Sequence, residues 1–361
     1  MSGSAALGER ERGAILRAVH ATWPHARALA LDALAGDASM RRYVRVRLEG
    51  ASAPTCIAML MPEGEAATRS EEPTTGDDAP TELPFLDVQR VLARAGVPVP
   101  AVFREELASD LLLLEDVGDR PLADVALALG AESAAATALF DETIDVLAAI
   151  AALVRQPDPS SIAFRRRFDR ALIGRELEIV SSHGLAGGDR SRDAASDPEI
   201  ARAFARLGDD LAAQPEVLMH RDFHAWNLHV DAQHRVRVID FQDAMLGPAL
   251  HDLASLCTDR DSDRFVTPAL EFHLVDRFRE SLLRRGGPAL DAATVHRDYF
   301  TAAAFRTLRV IGRFRFLALE RGVTGYLRFL PRMAQQTKRA LEGRGDRELL
   351  DLLAERSEIF A

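Results

Sequence analysis

The sequence predicts an α+β fold of two lobes, an antiparallel-sheet lobe over residues 1–117 and a mostly helical lobe over 118–361. Three observations lead there. Short runs with period-two alternation, or of wholly apolar character, cluster before residue 117. From Pro121 onward apolar residues recur at helical spacing over long Ala- and Leu-rich segments. A chain of 361 residues with 47% apolar side chains can bury two sizeable cores. Strands followed by helices mark an α+β protein rather than alternating βαβ units.

The first element is a helix over Glu9–His20, with Ala14, Leu16 and Val19 at roughly helical spacing. Ala28–Leu34 reads as a short strand and Tyr43–Leu48 alternates as a second. Between them lies Gly36-Asp37-Ala38-Ser39-Met40-Arg41-Arg42. A turn of small residues between two strands can lie over a nucleotide's phosphates. Its backbone N–H groups, Ser39, and Arg41 or Arg42 would then face the anion. Thr55–Met61 is the next strand and carries no basic residue. Pro62–Glu82 is rich in Glu, Thr, Pro and Asp and reads as a mobile acidic insertion. Leu83–Ala95 is helical, with Phe85, Leu86, Val88, Val91 and Leu92 as its apolar stripe and Gly96 as its stop. Val102–Glu105 and Leu111–Leu114 are strands, the second of buried type, and Glu115-Asp116-Val117 leads out of it.

Leu122–Leu129 and Ala134–Leu153 are helices separated at Gly130. Phe164–Ile179 continues the helical pattern. Its Arg165, Arg166, Arg167, Arg170 and Arg175 read as a solvated face balanced by Asp169, Glu176 and Glu178. Gly184–Asp197 is a polar loop, and Pro198–Leu211 is helical again. Leu270–Arg284, Ala292–Arg315 and Leu327–Leu352 complete the second lobe.

Chemistry concentrates between Val217 and Leu253. The apolar run Val217–Met219 delivers His220 and Asp222 to a loop, and Asn227 follows. A second apolar run, Val236–Ile239, delivers Asp240. Paired as a hairpin, the two strands would bring two carboxylates and a carboxamide together. Such a set suits phosphoryl transfer. One carboxylate takes a hydroxyl proton, while the other and the amide hold Mg²⁺ on the phosphates. A zinc site of His220, His224 and His229 is disfavoured, because Asp222 and Asn227 interleave and no Cys lies near.

Composition restricts the partners. A formal charge of −10 argues against nucleic acid. Lys338 is the only lysine, so nearly all positive charge is arginine. Cys56 and Cys257 lie far apart in apolar surroundings and read as buried thiols. Met1–Arg12 lacks a signal core and no apolar run is long enough for a membrane span, so a cytoplasmic protein, expected as a monomer, is the reading.

His220-x-Asp222-x-His224-x-x-Asn227 followed by Ile239-Asp240-Phe241-x-Asp243 resembles the catalytic and metal segments of aminoglycoside phosphotransferase-like small-molecule kinases. The resemblance implies a protein-kinase-like fold with ATP and Mg²⁺ between the lobes. It implies that Asp222 is the catalytic base, that Asn227 and Asp240 bind Mg²⁺, and that His220 supports the loop. It makes Leu114, Glu115, Asp116 and Val117 the hinge whose backbone binds adenine. One departure stands out: the Lys that the family carries on the strand Thr55–Met61 is missing, which leaves the phosphates to Arg41, Arg42, backbone amides and Mg²⁺. Phe241-Gln242-Asp243, where protein kinases have Phe-Gly after the Asp, fits the small-molecule branch better. His251 occupies a position where the family has Tyr, and Asp252 reads as a tie between helix start and catalytic loop.

A narrower resemblance concerns the acceptor. Asp37-Ala38-Ser39-x-Arg41-Arg42-Tyr43, Asp240–Ala244, Arg309-Val-Ile-Gly312-x-Phe314 and Gly325-Tyr326-Leu327-x-x-Leu330-Pro331 are similar to sugar 1-kinases. Those enzymes phosphorylate N-acetylmuramate and N-acetylglucosamine at the anomeric hydroxyl in cell-wall sugar recycling. His224, Asp243, Asp259, Arg306, Arg309 and Arg313 are the acceptor-facing candidates. An anionic acceptor would use the arginines. A cationic one, an aminoglycoside or amino alcohol, would use Asp259, Asp261 and Asp263. The missing strand Lys also leaves a nucleotide-binding pseudokinase as an alternative, against which Asp222, Asn227 and Asp240 together argue.

Overall fold

The computed structural model describes residues 7–34, 41–62, 75–76, 82–185 and 197–361. The expectation for Ser39 and most of that for the 62–82 insertion fall outside the described residues.

Alternation along the early strands produces a sheet covered on both faces. Helix α1 (Glu9–Thr22) precedes β1 (Arg27–Ala33), β2 (Arg42–Glu49) and β3 (Thr55–Leu60). The two-residue β4 (Thr75–Gly76), α2 (Pro84–Arg94), β5 (Val102–Glu106) and β6 (Leu111–Glu115) follow. The sheet order is β1-β2-β3-β6-β5, antiparallel throughout. Val44, Val46 and Leu48 of β2 pack with Ala14, Ile15, Ala18 and Val19 of α1. Leu16, expected among them, is 39% exposed because the contact stripe runs along its neighbours. Met59, Leu112 and Leu114 join the core formed with α2 on the other face.

The second lobe begins with α3 (Leu122–Leu129) and α4 (Ala134–Ala152), separated at Gly130, whose φ is +86°. The stretch expected as one helix over Phe164–Ile179 is instead α5 (Ile162–Arg165), β7 (Arg166–Arg167) and α6 (Arg170–Ile179), with Asp169 capping α6. Arg166 is therefore buried rather than part of a solvated face. Next come α7 (Pro198–Ala212), β8 (Glu216–Met219), β9 (Leu228–Val230), β10 (Val236–Val238), β11 (Met245–Pro248) and α8 (His251–Cys257). The chain closes with α9 (Pro268–Arg284), α10 (Val295–Arg321), α11 (Leu330–Arg344) and α12 (Arg347–Arg356). Gly345, at φ +80°, divides α11 from α12 where a single helix was expected.

The strands that deliver Asp222 and Asp240 do not pair with each other. β8 pairs with β11, and β10 pairs with β9. The reason is local: the chain turns back at Asn227 to form β9, and the short turn after Val230 closes a β9–β10 hairpin of its own. β4 pairs antiparallel with β7 at the edge of the sheet that contains β11 and β8. Both cysteines are buried, and burial pushes the Cys56 thiol up to about 12. Among the described residues no helix is long and apolar enough to cross a membrane.

α10 reaches the turn after α6 through glycine. A Cβ on Gly312 would lie 3.2 Å from the backbone N and Cα of Val180. Backbone on the far side has little room to give. Gly312→Ala is expected to lower the unfolding free energy by about 1–3 kcal/mol in urea titrations. Gly325→Ala, where no atom lies within 4 Å of the added carbon, should change it by less than about 0.5 kcal/mol.

Candidate active site

The loop after β8 is built around a buried carboxylate. Asp252, in the first turn of α8, accepts the N–H of His220 at 2.5 Å and that of Arg221 at 3.0 Å. These bonds hold Arg221 at φ +83°, a left-handed conformation that costs a non-glycine residue energy. His220 Nε2 donates to Ile239 O at 2.9 Å and so joins the loop to the end of the β10 segment. Asn227 Nδ2 donates to Asp222 O at 3.1 Å and to Asp240 Oδ2 at 3.3 Å. Gln242 Nε2 donates to Asp240 Oδ1 at 2.8 Å. Asp240 sits at φ +64°, which aspartate tolerates, and its side chain is exposed. The Asp222 backbone carbonyl and the side chains of Asn227 and Asp240 thus meet at one place, Asp222 brought there by β8 and the other two by the β9–β10 hairpin.

Charge around Asp222 is strongly arranged. Burial raises its carboxyl pKa, but Arg309, His224, Arg306 and Arg221 outweigh that effect and hold it well below the usual carboxylate range. The arginines are buried themselves. Arg306 Nε donates to Ser255 Oγ at 2.8 Å, and its Nη2 lies 3.7 Å from Asp259 Oδ1. Arg309 Nε donates to Glu176 Oε2 at 3.1 Å. Asp259 is also held low: burial opposes this, and His224, Arg306 and Arg260 outweigh it. His224 faces both carboxylates, and its buried Nδ1 has no hydrogen-bond partner. His251 is buried beside Asp252 and kept neutral by loss of hydration.

Other candidates are placed differently. Asp261 accepts the Trp226 indole N–H at 3.2 Å, and Asp263 pairs with Arg332 at 3.2 Å. Asp243 is buried, 3.9 Å from Arg166. Arg313 is exposed, its guanidinium 5.8 Å from the Phe316 ring centre. Glu176, read from sequence as surface charge, is buried against Arg309. The available signal was its place on the same helical stripe as Leu172, Ile173 and Leu177.

Arg42 is one of the two arginines expected to face the phosphates. It shares the β2 face of Val44 and Val46, turned toward α1, and forms an ion pair with Glu11. Arg41 stands at the alternate position and is buried. Arg45, which the sequence did not single out, bonds Asp116 through Nε at 2.7 Å and Nη2 at 3.1 Å, and Asp119 through Nη1 at 3.0 Å. Asp116 is held below its usual pKa: burial opposes this, and Arg45 and the Gly118 N–H outweigh it. The Glu115 N–H is given to Ala101 O at 2.8 Å. His229 Nδ1 donates to Gly118 O at 2.9 Å. A concavity of about 700 Å³ is lined by Asp119, Asp124, Leu129, Glu142 and His234 among others, and Asp222 is not part of its lining.

The donor set suits a hard divalent ion that also binds phosphate. Among the described residues no three or more His, Cys, Asp or Glu side chains converge on a metal position. What the protein offers is one exposed carboxylate, Asp240, and one amide, Asn227. Mg²⁺ commonly takes one or two such oxygens and completes its shell with water and phosphate.

Comparison with known proteins places this geometry in a group. A family model described as phosphotransferase enzyme family matches residues 31–296. An N-acetylmuramate/N-acetylglucosamine kinase of Pseudomonas putida is 29% identical over 92% of this chain and 90% of its own. One from Caulobacter vibrioides is 30% identical over 84% and 85%. Among solved structures, a spectinomycin phosphotransferase in complex with ADP and spectinomycin is 16% identical, covers 93% of this chain and 98% of its own, and superposes with a TM-score of 0.55. That likeness shows the two-lobed kinase-like fold.

Asp252→Asn should separate loop geometry from composition. The variant keeps the shape but loses the charge that two N–H groups need. Turnover is expected to fall about 100-fold and the unfolding free energy by about 2–4 kcal/mol. Steady-state rates and urea unfolding of the same preparation check both.

Proposed function

The chain belongs to the phosphotransferase enzyme family, and we propose that it is an ATP-dependent kinase for the anomeric hydroxyl of an N-acetylated amino sugar. N-acetylmuramate and N-acetylglucosamine are the acceptors proposed, and cell-wall sugar recycling the setting. The observation that carries the reading is the meeting of Asp222, Asn227 and Asp240 beside buried Arg306 and Arg309. Residues 1–117 supply the nucleotide side, and residues 118–361 supply the catalytic loop and acceptor side.

In this reading Asp222 orients the acceptor hydroxyl and receives its proton. Its carboxylate is ionised at neutral pH, which favours holding an O–H, yet a depressed pKa makes it a weak base. An anomeric hydroxyl is more acidic than an ordinary alcohol and demands less of that base. Asn227 and Asp240 hold Mg²⁺, which when bound draws charge from the phosphates. His220 keeps the two segments in register. Because the Glu115 N–H is already paired, the hinge backbone at Asp116 and Val117 is left to read adenine. Arg41 is the remaining basic side chain of the phosphate-side pair, and most of the rate enhancement comes from alignment and electrostatics.

A cationic acceptor fits less well. The charged groups facing Asp222 are Arg309, His224, Arg306 and Arg221, which favour an anionic over a cationic acceptor beside it. A nucleotide-binding pseudokinase would not need an ionised Asp222 set beside Asn227 and Asp240.

Asp222→Ala and Asp240→Ala are each expected to lower kcat at least about 1,000-fold without loss of fold. Coupled ADP release with N-acetylmuramate, N-acetylglucosamine and an aminoglycoside panel measures this, and sugar 1-phosphate formed at the native rate by either variant would rule the assignment out. The pH dependence follows from the sign of the shift. A depressed carboxyl is active above its folded pKa and is lost as pH falls through it. Arg309→Met removes the first of the opposing charges, so the acid limb of kcat/KM should move upward, toward the ordinary carboxylate value near ~4.

A further inference from the structure

A nucleotide in this fold has to span two elements that belong to different lobes. Its base meets the segment after β6, and its phosphates meet Asp240 after β10. The distance between those elements is set by the contacts that tie the segment around β6 to β10.

The side chain that bridges them is Arg237, three residues before Asp240. Its Nη1 and Nη2 donate to Glu115 Oε1 and Oε2, each at 2.7 Å, in a bidentate pair. The same guanidinium donates through Nε to Pro98 O at 3.3 Å and through Nη2 to Val99 O at 3.3 Å. The Val238 N–H adds a bond to Pro98 O at 3.0 Å. Arg237 is 9% exposed while the Glu115 side chain keeps 31% of its exposure, so salt screens the contact only in part. Glu115 in turn accepts the Ala101 N–H at 3.0 Å, which ties β5 and β6 into the same knot. Val236 and Val238 bury the other side of β10 in the core.

We propose that Arg237 is a positioning residue for the nucleotide: through Glu115, Pro98 and Val99 it fixes the span from the hinge to Asp240. The inference rests on the kinase reading given above for its ligand, though not on the choice of acceptor. Acceptor contacts lie in the helical lobe, so loosening this strut alters nucleotide binding selectively. A lysine at 237 can reach one oxygen but cannot form the fork, and it restores the span only in part.

The test uses the full chain and three variants, Glu115→Gln, Arg237→Met and Arg237→Lys. Affinity for MgATP is measured by titration calorimetry without acceptor, together with KM for each substrate and thermal unfolding. Arg237→Met should weaken MgATP binding at least tenfold and raise KM for ATP in parallel, with acceptor KM within twofold. Glu115→Gln should do so less, and Arg237→Lys should fall between native and Met. Should Arg237→Met fail to fold, Glu115→Gln carries the test, since it keeps both carbonyl contacts. MgATP bound equally tightly by native protein and by folded Glu115→Gln and Arg237→Lys would overturn the proposal, as would equal changes in both KM values. A native protein that binds no MgATP would instead defeat the kinase reading itself.

Discussion

Two backbone N–H groups, those of His220 and Arg221, end on the single carboxylate of Asp252. The rest of the site depends on that contact. A loop carrying a left-handed arginine would relax if its donors turned elsewhere, and Asp222 would turn with it. The helix that supplies Asp252 is almost wholly buried, as is β8, which supplies the loop. The carboxylate therefore transmits the rigidity of the core to the one residue whose orientation matters most. His220 extends the same rigidity to Ile239, and so to Asp240.

Around this frame, buried charge is layered rather than scattered. Asp222 faces arginines, those arginines lean on Glu176, Ser255 and Asp259, and Asp259 faces His224. Removing one partner of such a set leaves an uncompensated buried charge, so its members act on stability as a unit. The same pattern repeats at the hinge, where Arg45 holds Asp116 and Asp119, Arg237 holds Glu115, and His229 holds Gly118.

Local pattern was enough for much of this. Alternation in Tyr43–Leu48, the apolar run Leu111–Leu114 and the stripe of α2 all appear as the elements their periods predict. The candidate site was legible as a cluster because Asp222, Asn227 and Asp240 lie next to short apolar strands. What period could not show was partnership. The pairing of β8 with β11 rather than β10 depends on where the chain turns back, and Asn227 decides that. Arg42 and Arg45 look alike in sequence, yet alternate faces send one to Glu11 and the other to the hinge. Glu176 looked solvated because charge was weighed ahead of its place on an apolar stripe. The break of Phe164–Ile179 at Arg166 has no strong local signal, since the residue is drawn inward by Gln242 O and Asp243 across the lobe.

The central claim is that a carboxylate and an amide at the two ends of one hairpin, β9–β10, hold one metal–nucleotide complex. Electron paramagnetic resonance of Mn²⁺ with ATP reads this directly, because the bound ion reports its ligands without any acceptor present. Native protein should bind Mn²⁺–ATP with an altered spectrum, and Asp240→Asn should bind it at least tenfold more weakly while still binding metal-free ATP. An unchanged spectrum and affinity in Asp240→Asn would contradict the account.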